Sequence, residues 1–135
     1  MGPHFTFVGN QYRLTVEGND YYIDLLLYHR ALKSLIAVEL KIGEFKPEHK
    51  GKMEFYLVAL NEQVKLPGES DAIGIIICKS KKKTVVEYAL KTATQPIGIA
   101  TYSLTSHLPA AYQHLLPSEE EIRERLQGWE GDEIG

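Results

Sequence analysis

Read as apolar and polar positions, the chain changes period along its length. FTFV at residues 5–8 and QYRLTVE at 11–17 alternate with period two, the spacing of half-buried strands. EGND at 17–20 predicts a turn, with Gly18 and Asn19 as the residues able to take positive φ. YYIDLLLYH at 21–29 and SLIAVELK at 34–41 are nearly continuous apolar runs separated by a break at 30–33, as expected of strands covered on both faces. Beyond KIGEFKPEHKGK the period lengthens. Met53, Tyr56, Leu57, Leu60 and Val64 share one helical face, which predicts a helix starting near Pro47 and ended by Pro67 and Gly68. AIGIIIC at 72–78 predicts a central strand and IGIATYSL at 97–104 another, while TVVEYALK at 84–91 fits either a strand or a short helix crossing back over the sheet. Ser118 and Glu121 form a capping box for an acidic C-terminal helix over about 118–129, with a tail after 130. The pattern predicts a single α/β domain over 1–135: an antiparallel meander, a helix and two further strands in a mixed sheet flanked by helices.

Two of the apolar strands carry charge. Asp24 lies in YIDLL, and Glu39 and Lys41 lie in AVELK. If Asp24 and Glu39 pair across the hairpin, its centre falls between Ala31 and Leu32, where the apolar pattern breaks, and the same register pairs Tyr28 with Leu35 and Leu26 with Ala37. Residues i and i+2 share a face, so Glu39, Lys41 and Asp24 then point the same way. An ion pair on a solvated sheet face is the ordinary explanation for E-x-K, but a carboxylate in so apolar a strand is costly unless something neutralises it. Directly opposed carboxylates repel, and a divalent cation between them removes that repulsion. Mg²⁺, for which Mn²⁺ can substitute, suits the set, since it takes one or two carboxylates plus waters and phosphate oxygens. Asp24, Glu39 and the main-chain carbonyl of Leu40 are the candidate ligands, with Lys41 placed to orient water or offset transition-state charge.

Charge and composition bear on the partner. The chain has a net charge of −3. From Pro117 onward seven acids stand against two arginines, a balance of −5 that leaves residues 1–116 at +2. Lys41, Lys46, Lys50 and Lys52 form one basic run, and Lys79, Lys81, Lys82 and Lys83 another, so a nucleic-acid partner is permitted. The only cysteine is Cys78, read as a core residue, and a reducing cytoplasmic setting is the expectation. No apolar run reaches the length of a membrane span, and the five histidines lack zinc-ligand spacing.

Strand, strand with Asp24, strand with Glu39-Leu40-Lys41, helix and strand together resemble the core of the PD-(D/E)XK nuclease superfamily. The longer strings FVGNQYRLTVEGNDYYIDLLLYHRALKSLIAVELKIGEFKPEHKGKMEFYLVAL, IGIIICKSKKKTVVEYAL and PIGIATY are similar to the C-terminal nuclease domain of the bacterial YhcG-like family, over roughly residues 5–126. The resemblance implies a restriction-endonuclease-like fold and metal-dependent hydrolysis of DNA phosphodiester bonds. It makes Asp24 and Glu39 metal ligands, Lys41 the catalytic lysine and Gln11 the glutamine of the first strand. Lys52 and Tyr56 fall where related nucleases set a Gln and a Tyr facing the site. Lys46, Lys50, Lys52, Tyr56 and Lys79 are the expected nucleic-acid contacts, and a homodimer is compatible with cutting two strands. Ile23 replaces the proline of the motif. The family's helix before the first strand and its N-terminal, DNA-binding region are not expected within this chain, which suggests an excised or abbreviated domain. The competing expectation is a binding or assembly module on the same fold whose cleavage has lapsed.

Overall fold

A computed structural model describes residues 4–101. Five strands and two helices follow in the order β1 (Phe5–Val16), β2 (Asn19–His29), β3 (Ser34–Leu40), α1 (Pro47–Gln63), β4 (Ile73–Cys78), α2 (Lys83–Lys91) and β5 (Ile97–Thr101). They build a mixed sheet of order β1-β2-β3-β4-β5, antiparallel from β1 to β3 and parallel from β3 to β5. The expected helix at 118–129 lies outside the described residues, as do positions 102–104 of the last predicted strand.

Several boundaries differ from the sequence expectation for identifiable reasons. The predicted strands 5–8 and 11–17 are one strand. The register shifts between Phe7 and Gly9, which leaves Val8 as the extra residue of a bulge, and Gly9 and Asn10 continue the pairing opposite Leu26 and Leu25. The turn after β1 also falls one residue early. Val16 pairs with Asn19, so the positive φ angles fall on Glu17 (52°) and Gly18 (81°), the two-residue turn that matches strand twist. The expected central strand at 72–78 is β4, interior between β3 and β5. TVVEYALK is a helix, because β4 and β5 are parallel neighbours and need a crossover between them.

Both helices pack on one face. Met53, Tyr56, Leu57 and Leu60 of α1 and Val86 and Ala89 of α2 join Leu26, Leu35, Ala37 and Ile76 in one apolar cluster. Gly74 allows α1 to approach β4, since a Cβ there would meet Met53 Cγ at 2.6 Å. Leu25, Leu27, Ile36, Val38, Ile73, Ile75 and Ile77 form a second cluster on the other face, which explains the near-continuous apolar runs. Among the described residues no helix is long and apolar enough to cross a membrane.

Candidate active site

The β2–β3 hairpin has the register that Asp24 and Glu39 require: His29 faces Ser34, Tyr28 faces Leu35, Leu26 faces Ala37 and Leu25 faces Val38. Backbone pairing stops there, one step short of the carboxylates. The side chains take over the vacated donors: the Asp24 N–H donates to Glu39 Oε2 at 2.8 Å, and the Leu40 N–H donates to Asp24 Oδ2 at 2.9 Å. Each carboxylate is thus pinned by the opposite strand's backbone, an arrangement stiffer than two side chains on a loop. Glu39 shares parity with Leu35 and Ala37 and lies 4.0 Å from Lys52 Nζ of α1, so it lies on the face that carries α1, with Asp24 beside it.

The β1–β2 ladder is also interrupted at this level. Asn10 faces Leu25 and Tyr12 faces Ile23, and between them Gln11 adopts a left-handed φ of 47°. This conformation is unfavourable for a residue with a Cβ and is concentrated at functional sites. From the kink the Gln11 Nε2 donates to Asp24 Oδ1 at 3.4 Å, at the long limit of a hydrogen bond. The inward parity of β2 changes here as well, because Ile23 and Leu26 both pack on the α1 side. Asp24 therefore sits where the sheet steps and its backbone is released from both neighbours.

Glu39 is only 3% exposed and Lys41 5%. Lys41 extends the parallel ladder by donating its N–H to the Ile77 carbonyl at 2.8 Å, while its Nζ lies 3.8 Å from Glu39 Oε1. From the second turn of α1, Lys52 Nζ reaches the same oxygen at 4.0 Å and stands 5.7 Å from the centre of the Tyr56 ring. Burial, and then the Asp24 carboxylate, push the Glu39 carboxyl up to about 7. Burial raises Asp24 too, against the lowering influence of the Leu40 N–H. Burial and both carboxylates hold the Tyr56 phenol well above its ordinary value, so it stays a hydrogen-bond donor.

Asp24, Glu39, Lys41, Gln11, Lys52 and Tyr56 thus converge, and Leu40 enters through its main chain. Lys46 and Lys79 do not touch the carboxylates but share the same end of the sheet. The loops after β3 and β4 are joined by Phe45 N–H to Ser80 O and Lys79 N–H to Gly43 O, and both lysines are exposed there. Lys50 is directed elsewhere, with its Nζ 2.8 Å from Thr92 Oγ1 and 3.4 Å from Glu54 Oε1, tying α1 to the end of α2. Cys78 is buried, and His29 accepts the Leu32 N–H within its turn, so both are structural. Sequence reasoning missed the two backbone donors and the kink at Gln11, because no residue pattern marks where a ladder opens.

Among the described residues no group of three His, Cys, Asp or Glu gathers to hold a metal. The donor set nevertheless fits a hard cation. It offers one buried and one half-buried carboxylate, each held by the opposite strand's backbone, whose mutual repulsion a divalent ion would relieve.

An Asp on one strand and Glu-x-Lys on the next, inside a mixed five-stranded sheet, is the arrangement expected of a PD-(D/E)XK-type nuclease domain. The profile of the family described as the YhcG PDDEXK nuclease domain matches residues 1–117, and the chain belongs to that family. It is 35% identical over 126 residues to the Escherichia coli (strain K12) protein named "Putative nuclease YhcG", a match covering 93% of this chain and 31% of that protein. The chain therefore spans about a third of the curated relative's length. Its fold also resembles a repair endonuclease from Pyrococcus abyssi, with a TM-score of 0.45, 13% identity, and coverage of 65% of this chain and 35% of that one.

Proposed function

We propose that this domain is a Mg²⁺-dependent deoxyribonuclease. The observation that carries the reading is the carboxylate pair, each member fixed by the opposing strand's N–H, with a buried lysine at 3.8 Å from Glu39. Asp24, Glu39 and the Leu40 carbonyl would hold the cation. When bound, it supplies Lewis-acid polarisation of the phosphodiester and a lowered pKa for bound water.

The chain's own residues supply the rest. The Lys41 ammonium, buried and fixed along β3, orients the attacking water and offsets the charge that builds on the phosphorus oxygens. Gln11 keeps the Asp24 carboxylate turned toward the site. The Tyr56 hydroxyl, protonated at all working pH values, donates to an oxygen of the substrate or of the carboxylates. Lys46, Lys52 and Lys79 hold the flanking phosphates, a sequence-independent contact that suits backbone cleavage.

Cleavage of supercoiled, linear and single-stranded DNA, with RNA alongside, tests the reading. Mg²⁺ should support DNA cleavage that EDTA abolishes. Asp24→Asn, Glu39→Gln and Lys41→Met should each reduce it by about 10²-fold or more, the typical loss when one transition-state contact is removed. DNA binding without cleavage by the unaltered chain, in Mg²⁺ and in Mn²⁺, would favour a binding module instead.

A further inference from the structure

The two oxygens of Glu39 have different partners. Oε2 accepts the Asp24 N–H at 2.8 Å, whereas Oε1 has two ammonium groups near it, Lys41 Nζ at 3.8 Å and Lys52 Nζ at 4.0 Å. Both contacts are longer than a close charge-assisted hydrogen bond. The two lysines differ in freedom. Lys41 is buried and continues the strand, whereas the Lys52 side chain is half exposed on α1 and leans on the Tyr56 ring. A lysine on a flexible stem can turn its head into solvent at little cost, and a buried one cannot.

We infer that Lys52 is a displaceable counter-ion for Glu39. With no divalent cation bound it neutralises Oε1, and when the cation takes that oxygen Lys52 turns outward, where a substrate phosphate can receive it. Lys52 therefore competes with the cation, and a phosphate that draws Lys52 away strengthens cation binding, so that cation and nucleic acid load cooperatively. The inference rests on the reading that Asp24 and Glu39 hold a divalent cation.

Calorimetry with Mn²⁺ alone, in the absence of DNA, tests it on the whole chain and on the variants Lys52→Met, Lys52→Arg and Lys46→Met. Lys52→Met should bind Mn²⁺ about two- to five-fold more tightly, the range of a partly exposed ion pair. Lys52→Arg, which keeps the charge, and Lys46→Met, which loses the same charge away from Glu39, should stay close to the unaltered chain. In EDTA, Lys52→Met should melt below the unaltered chain, and saturating Mn²⁺ should close that gap. Equal or weaker Mn²⁺ binding by Lys52→Met, or an equal gain in Lys46→Met, overturns the counter-ion role alone. No Mn²⁺ binding by any of the four proteins overturns the cation site and the counter-ion role together.

Discussion

Glu39 concentrates the electrostatic cost of the site in one side chain. Its carboxyl is pushed up to about 7 in the folded protein from an ordinary value of 4.5, by burial first and by Asp24 second. Between those two values the native state binds more protons than the unfolded state, so stability falls as pH rises through this window and levels off above it. Glu39→Gln keeps an oxygen to accept the Asp24 N–H and removes the charge. In EDTA its melting temperature should match the unaltered chain near about pH 4.5 and exceed it above about pH 7. Saturating Mg²⁺ should close the gap by stabilising only the unaltered chain, as a melting series at several pH values would show. Gln11 carries a second local cost, its φ of 47°. Glycine takes that conformation freely and alanine does not, so Gln11→Gly should be more stable than Gln11→Ala by about 1 kcal/mol in urea denaturation. Both should lose the contact to Asp24 equally.

At the scale of elements, the placement of α1 decides which residues meet the hairpin. Lys52 and Tyr56 reach the carboxylates because Met53, between them in sequence, seats on Gly74 of β4. An alanine at 74 would put its Cβ 2.6 Å from Met53 Cγ, 2.8 Å from Sδ and 3.2 Å from Leu57 Cδ1. Gly74→Ala should therefore destabilise the domain by about 1–3 kcal/mol. Pairing it with Met53→Ala should cost less than the sum of the two changes, as equilibrium unfolding of the four proteins would reveal. The meander and α1 were legible in sequence because strand and helix periods differ so plainly there. The α2 segment was not, since a nine-residue run with a β-branched start is ambiguous until the parallel pairing of β4 and β5 demands a crossover.

Across the whole molecule the charge is divided, with residues 1–116 at +2 within a chain of −3. The joined loops after β3 and β4 bring Lys46 and Lys79 to the end of the sheet that holds the carboxylates. If both lysines contact phosphates, Lys46→Met and Lys79→Met should each lower the salt slope of DNA binding by about 1. Lys50→Met should leave that slope unchanged and lower stability, because its ammonium serves Glu54 and Thr92. By itself the sequence determined the hairpin register and so brought Asp24 and Glu39 level with each other. Strand side chains alternate with period two, and a slip of one residue would turn the apolar set outward. Only the tertiary structure decided that the ladder opens at Asp24, that backbone donors from both strands hold the carboxylates, and that Lys52 rather than Lys50 turns toward them. Those outcomes depend on sheet twist, on the bulged edge strand and on the seat of α1, which arise from contacts between segments far apart in the chain.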